Sequence, residues 1–157
     1  TIFERAQSDP DLTGMGTTIT TASVESEAEE VVIGHVGDSR AYRLRDGILQ
    51  RLTRDHSLVQ DLVESGGISL TEARSHPHRN IITRVLGGDV EPVVDQCFGP
   101  IDSGDRFLLC SDGVNNEIDG ARIRDIVTET HRPEDAAAGL VAAGGRDNIS
   151  AMVVAVD

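Results

Sequence analysis

The sequence predicts an α+β fold in which antiparallel strands pack in layers against helices. Three observations lead there. Short apolar runs rich in Val, Ile and Thr recur between turn signals from Thr17 to Leu52, and again from Val93 to Cys110 and near the C-terminus. The apolar spacing changes from two to four at Ser57–Ser65, where Leu58 and Leu62 lie four residues apart, as do Val59 and Val63. Helix signals return between Ala121 and Ala143, with Pro133 at a first-turn position and Gly144-Gly145 beyond the end.

The elements follow in order. Thr1–Ser8 reads as the end of a helix, stopped by Asp9-Pro10. Because the chain opens inside that pattern, it is expected to start within a larger protein. Thr17–Val24 is a strand, and the acidic Glu25–Glu30 run is a solvated hairpin connection to a second strand, Val31–Val36. That second strand is apolar except at Gly34 and His35, which suits a central position. After Gly37-Asp38-Ser39-Arg40, Ala41–Arg45 alternates Tyr42 and Leu44 with Arg43 and Arg45. Asp46-Gly47 then turns the chain into Ile48–Leu52. Val31–Leu52 is therefore expected to be a three-strand antiparallel meander. Ser57–Ser65 is helical, and Ser69-Leu70-Thr71-Glu72 is a capping box for a short helix that Pro77 prevents from continuing. Ile81–Leu86 is helical or extended. Val93–Phe98 is a strand, Ala121–Thr128 and Pro133–Ala143 are helices, and Ile149–Val156 is the last strand.

The 157 residues point to one domain, with 38% hydrophobic content and no Trp to build its core. A net charge of -13 excludes nucleic acid as a natural partner, since phosphate backbones need a basic surface. No apolar run approaches the roughly 18 residues of a membrane span. Cys97 and Cys110 lie in apolar surroundings and read as buried thiols rather than a disulfide, without zinc-ligand spacing. A cytoplasmic domain is the expectation.

The stretch that organises the chain is Arg106–Gly113. Phe107-Leu108-Leu109-Cys110 is a buried strand that ends on an acid, Asp112, with Gly113 expected to free the backbone for a tight turn beside a ligand. Asp38 and Asp147 occupy similar settings, at strand edges next to Gly, Ser or Asn. Acids held at strand ends must be paired, protonated or bound to a metal. From the residues alone two readings stand. The three acids hold a hard divalent cation, Mg²⁺ or Mn²⁺, through oxygen, or they are ordinary turn aspartates.

Seven segments then appear in order: Gly16-Thr17-Thr18, Val36-Gly37-Asp38-Ser39-Arg40-Ala41-Tyr42, Leu52-Thr53-Arg54-Asp55-His56-Ser57, Gly66-Gly67, Ile82-Thr83-Arg84-Val85-Leu86-Gly87, Gly104-Asp105 through Leu109-Cys110-Ser111-Asp112-Gly113, and Arg146-Asp147-Asn148-Ile149-Ser150. Together they resemble the metal-dependent protein phosphatase family (PPM, type 2C), most closely its bacterial serine/threonine members, over about Gly14–Asp157. The resemblance implies a layered α-β-β-α sandwich of antiparallel sheets in a single domain, 1–157, here without its N-terminal strands, and a helical flap at about 57–86. It implies that Asp112 and Asp147 are carboxylates of a binuclear Mn²⁺ or Mg²⁺ centre, and that Asp38 with Asp112 holds a third metal. Gly113, Gly37 and Ser39 support those acids, and Asn148 either orients the Asp147 loop or caps its turn. Asn80 lies where a flap residue could approach the third metal.

The activity implied is hydrolysis of phosphoserine and phosphothreonine esters by a metal-activated water, without a covalent nucleophile. The implied partners are phosphorylated proteins, including substrates or autophosphorylated forms of a serine/threonine kinase. The sequence departs from the family at its start. An Arg, a Glu and an Asp-Gly pair whose Asp bridges the metals belong to an N-terminal segment that these residues do not contain. The chain alone is therefore expected to turn over phosphoesters poorly. A non-catalytic regulatory or binding module of the same fold is the alternative, and a cation-binding domain without enzymology is a third reading that leaves the motif order unexplained. Among single residues, His35 is expected to be a satisfied core or edge histidine and His56 an anchor for the flap. His76 and His78 are expected to be solvent-exposed, and Arg40 and Arg84 to pair with acids.

Overall fold

The turn at Gly37–Ser39 divides the strands between two sheets in this structure, a computed structural model that describes residues 1–25, 27–88, 91–145 and 148–157. Helix α1 (Ile2–Ser8) is capped by Thr1, whose hydroxyl accepts the Glu4 N–H at 3.1 Å, and a 3₁₀ turn at Pro10–Leu12 follows. Strands β1 (Ile19–Glu25) and β2 (Glu30–Val36) form one hairpin. Strands β3 (Arg40–Arg45) and β4 (Ile48–Arg51) form the next, around Asp46 and Gly47, both at positive φ as that turn demands. Two short helices, α2 (Leu58–Glu64) and α3 (Leu70–Ser75), precede β5 (Asp95–Pro100) and β6 (Arg106–Cys110). Helices α4 (Asp112–Glu117), α5 (Gly120–Glu129) and α6 (Pro133–Ala143) lead to β7 (Ala151–Ala155).

Within the described residues the order is β1-β2-β5 in one sheet and β4-β3-β6-β7 in the other, with every pairing antiparallel. These are the layered antiparallel sheets flanked by helices that the sequence predicts. The expected meander over Val31–Leu52 is wrong, because β2 and β3 lie in different sheets. Gly37 explains the break. It sits at φ +116, and a Cβ there would lie 2.3 Å from the Thr18 side chain, so only glycine fits. Its N–H and C=O go to His56 instead of to a neighbouring strand. Leaving at that angle, the chain starts β3 in the second sheet.

Two apolar clusters hold the layers together. Val31 and Ile33 of the first sheet meet Ala41 and Phe107 of the second. On the other face of the second sheet, Tyr42, Leu44 and Leu108 pack against Ile123, Ile126 and Val127 of α5 and Leu140 of α6. Phe107 and Leu108 point to opposite sides of β6 and are each 1% exposed, so this one strand seeds both clusters. Each such side chain contributes about 1.5–3 kcal/mol by leaving water. Arg106 fastens the same strand to the C-terminal end of α5, donating to the carbonyl oxygens of Val127 at 2.7 Å and His131 at 2.5 Å, and also to that of Thr130. A guanidinium there complements the negative end of the helix.

Asp105 precedes β6 and is buried. It accepts from Arg45 Nε at 2.6 Å, Arg45 Nη2 at 2.5 Å and the Asp102 N–H at 3.0 Å. The Arg45 hydrogen bonds hold its carboxyl below the usual range. A depressed folded-state pKa means that the unfolded chain takes up protons first. The stabilisation is therefore complete above the unfolded pKa, about 4, and is lost as pH falls through the folded one. In urea titrations at several pH values, the stability gap between wild type and Asp105→Asn is expected to be wide at pH 7 and to close as the solution is acidified below about pH 4.

Other departures are local. Asp112 does not end in a loose turn but opens α4. Ile81–Leu86 is neither helix nor strand, and meets the rest of the chain through the bridges Ser57↔Ile82 and Thr17↔Leu86. Strand β7 is shorter than expected and β5 starts two residues late. None of the described helices is long and apolar enough to cross a membrane. Cys97 and Cys110 are both free thiols, and burial pushes that of Cys110 up to about 11.

Candidate metal centre

Asp38 and Asp112 line one cavity of about 720 Å³, whose walls come from β3, from α2 and α3, and from the α4–α5 corner. Asp38 reaches it on the turn that joins the two sheets. Ser39 steadies this turn, its hydroxyl 3.0 Å from that of Thr18 and its carbonyl accepting from Thr20 at 3.3 Å. Asp112 reaches the cavity as the first residue of α4, immediately past the rigid end of β6, and its Oδ2 accepts from Asn116 Nδ2 at 3.2 Å.

The electrostatics of Asp38 suit a cation. Burial raises its pKa, and the charges of Asp112 and Asp55 raise it further. Arg40 is close enough to oppose that shift, but its guanidinium is committed elsewhere. It donates through Nε and Nη2 to Asp55, at 3.0 and 2.6 Å. Arg51 Nη2 donates at 2.6 Å to Asp55 Oδ1, the oxygen that also accepts from Arg40 Nε. The network continues from Arg40 Nη1 to the Tyr42 hydroxyl at 3.4 Å, and from that hydroxyl to Asn115 Oδ1 at 2.6 Å, on α4. Two carboxylates that line one cavity, while the nearest guanidinium is tied to a third, have the oxygen chemistry that a hard divalent ion takes.

Gly113 sits against the segment that follows Asp147. A Cβ on it would lie 2.6 Å from the Asn148 carbonyl oxygen. Ser111 binds the same segment, donating its N–H to the Ser150 carbonyl at 3.0 Å and accepting the Ser150 N–H on its hydroxyl at 3.0 Å. The glycine is required by this close approach. It is helical, so the expectation that it frees a tight turn is corrected. Asp147 itself lies outside the described residues, and among the described residues no three His, Cys, Asp or Glu side chains group closely enough to hold an ion. Asn80 is exposed and lines the cavity, just before Ile81 and Ile82 rejoin the start of α2.

The family model for protein phosphatase 2C matches residues 2–144. The chain belongs to the protein phosphatase 2C family. It is 39% identical over 153 residues to the serine/threonine phosphatase stp of Listeria innocua, covering 95% of this chain and 60% of that protein. Among solved structures, the serine/threonine phosphatase Stp1 from Staphylococcus aureus matches with a TM-score of 0.92 at 34% identity, covering 99% of this chain and 62% of that one. The catalytic domain of the phosphatase PstP, solved in complex with two manganese ions, matches with a TM-score of 0.82 at 35% identity, covering 99% of this chain and 66% of that one. The chain thus spans about three fifths of the length of the first relatives it matches.

In this phosphatase 2C chain the sequence reading missed Asp55 and Asn115. Asp55 has no role in the sequence analysis beyond its place in the Leu52–Ser57 segment, yet it is 6% exposed. The available signal was an acid between Arg51, Arg54 and the Arg40 of the preceding hairpin, in a chain where cations are scarce. Arg84 does pair with an acid, Asp95 at 2.5 Å. His35 is a satisfied core residue, within hydrogen-bond distance of the Thr20 hydroxyl and the Arg54 carbonyl. His56 joins the 57–86 excursion at its root, its carbonyl accepting from Thr83 at 2.8 Å.

Proposed function

We propose that this chain carries carboxylate ligands of a Mn²⁺- or Mg²⁺-dependent protein phosphatase acting on phosphoserine and phosphothreonine. The reading rests on one observation: Asp38 and Asp112 line the same cavity, where burial and the neighbouring Asp112 carboxylate disfavour the Asp38 charge unless a cation joins them. Asp38 and Asp112 would hold the ion, with Asp147 in the same role and Asn148 supporting it. Bound there, a divalent cation supplies Lewis acidity toward phosphoryl oxygen and lowers the pKa of water. The chain's own residues do the placing. Asn116 orients one Asp112 oxygen. The 57–86 excursion acts as a flap and bounds the substrate side of the cavity through Asn80, Arg74 and Arg79. The substrates are phosphoproteins opposed by a serine/threonine kinase in the cytoplasm, a compartment in which two free thiols are at home.

Titration of the chain with Mn²⁺, monitored by the electron paramagnetic resonance of the free ion, tests the reading. Asp112→Asn and Asp38→Asn are each expected to weaken binding by more than the roughly 10–100-fold caused by loss of an outer partner. Asp112→Asn is expected to abolish any Mn²⁺-dependent hydrolysis of a phosphothreonine peptide. Unchanged Mn²⁺ affinity in both variants would overturn the assignment.

A further inference from the structure

His56 is 1% exposed, and both its backbone and its ring are hydrogen-bonded. Its backbone N–H donates to the Gly37 carbonyl at 2.7 Å, and its ring Nδ1 lies 3.0 Å from the Gly37 N–H. The residue before Asp38 is therefore gripped at both its donor and its acceptor by one histidine. The geometry fixes the ring's protons. An amide N–H can only donate, so Nδ1 must be the bare nitrogen and the proton of a neutral ring sits on Nε2. Nε2 is 3.0 Å from Asp95 Oδ2, which takes that proton's hydrogen bond. Arg84 Nη1 donates to the other Asp95 oxygen at 2.5 Å and fixes the carboxylate in turn. The same Nη1 lies 3.0 Å from Nε2, but a protonated ring nitrogen cannot accept, so its hydrogens serve Asp95 and the Val93 carbonyl. Arg84, Asp95 and His56 thus form a chain that ends on the backbone of the Asp38 turn. Arg84 and Asp95 themselves lie far along the sequence from Asp38, in the return from the 57–86 excursion and at the start of β5.

From this arrangement we infer that His56, oriented by Asp95, is a positioning residue for the Asp38 carboxylate, so that cation affinity depends on which ring nitrogen carries the proton. The inference rests on the reading of Asp38 as a cation ligand. His56 does not line the cavity of Asp38 and Asp112 and acts through Gly37. The bond it makes is specific to one tautomer, and a residue that merely filled the space would not be sensitive to that choice. Asp95 selects the tautomer, as an outer carboxylate does for a histidine that must keep one nitrogen bare.

Two readouts test this in the full chain. With ¹⁵N-labelled histidine, the His56 Nδ1 resonance is expected at the position of an unprotonated ring nitrogen, with a through-hydrogen-bond coupling to the Gly37 amide. A protonated Nδ1 would overturn the inference whatever the cation does. The second readout is Mn²⁺ affinity in substituted chains, checked for folding by amide spectra. His56→Asn places an amide oxygen near the Nδ1 position and is expected to keep affinity close to wild type. His56→Gln reaches the Nε2 position instead and is expected to lose about tenfold or more, as is Asp95→Asn, whose amide can donate to Nε2 and move the ring proton to Nδ1. Equal effects of Asn and Gln at position 56 would mark a structural role and sink the proposal. If Asp38→Asn weakens Mn²⁺ binding while His56→Gln does not, the positioning inference falls and the ligand assignment stands. If Asp38→Asn changes nothing, both fall.

Discussion

Asp55→Ala is expected to cost about 3 kcal/mol of folding stability, the lower end of the loss caused by removing one partner of a buried ion pair. The side chain of Asp55 is 9% exposed and those of Arg40 and Arg51 are 26% and 29% exposed, so water screens the arginines only in part. Burial works against the Arg40 charge, and the hydrogen bonds and charge of Asp55 more than offset it, holding that guanidinium above its ordinary pKa. Arg51 is lowered by burial, and although the attraction of Asp55 exceeds the repulsion of Arg40 it does not offset that burial. Without Asp55 two cations face each other across a partly dry wall. Urea unfolding measures the loss. The double variant Asp55→Ala/Arg40→Met is expected to recover at least about 1 kcal/mol of it, because removing both partners avoids the unpaired charge. A second effect comes from the position of Arg40. It already lowers the pKa of Asp38 at a distance. Released from Asp55, it can swing to Asp38 and compete with a cation, so Mn²⁺ affinity is expected to fall in Asp55→Ala and to return in the double variant. A double variant no more stable than Asp55→Ala would show that the cost lies elsewhere than in the unpaired arginines.

This network also shows where sequence reading stops. Hairpin and cap signals are local, and they were legible. Asp46-Gly47 fixes both φ values of its turn, and Ser69 with Glu72 closes a capping box, each within four residues. The acids at strand ends were legible for the same reason, since Asp38 and Asp112 stand beside apolar runs. Sheet membership was not local. Whether β2 pairs with β3 or crosses to another layer depends on Gly37 meeting Thr18, and on His56 taking the backbone bonds that a strand would otherwise use. Asp55 was hidden by the same limit. Its partners Arg40 and Arg51 are 15 and 4 residues away, and nothing in the Arg54-Asp55 dipeptide distinguishes a buried anchor from a surface turn. Gly113 was singled out for the wrong reason, because a helical glycine and a turn glycine look alike until the neighbouring segment is placed.

That neighbouring segment makes Gly113→Ala the other severe substitution. In an exposed helix, alanine would be preferred to glycine by about 1 kcal/mol. Here its Cβ would stand 2.6 Å from the Asn148 carbonyl oxygen and 3.0 Å from Ile149 Cγ1. The first contact is with backbone, so no side-chain rotation relieves it. The segment is also fixed by its hydrogen bonds to Ser111, one residue before Asp112. Either the Asn148 segment moves away from α4 or α4 tilts on β6. Overpacking of this kind costs about 1–3 kcal/mol, and it reverses the sign expected from helix propensity. Gly113→Val is expected to be worse, since its methyl groups would press on the same oxygen and on Ile149. The displacement also shifts Asp112, the neighbour of Gly113 on α4, so on the proposed ligand role of Asp112 Mn²⁺ binding is expected to drop as well. Urea unfolding and Mn²⁺ titration of Gly113→Ala, with Gly120→Ala as the control, decide the point. Gly120 begins α5 with open space where its Cβ would go, so alanine there is expected to be neutral or stabilising. If both alanine variants behave alike, the contact with Asn148 does not limit the approach of the two segments.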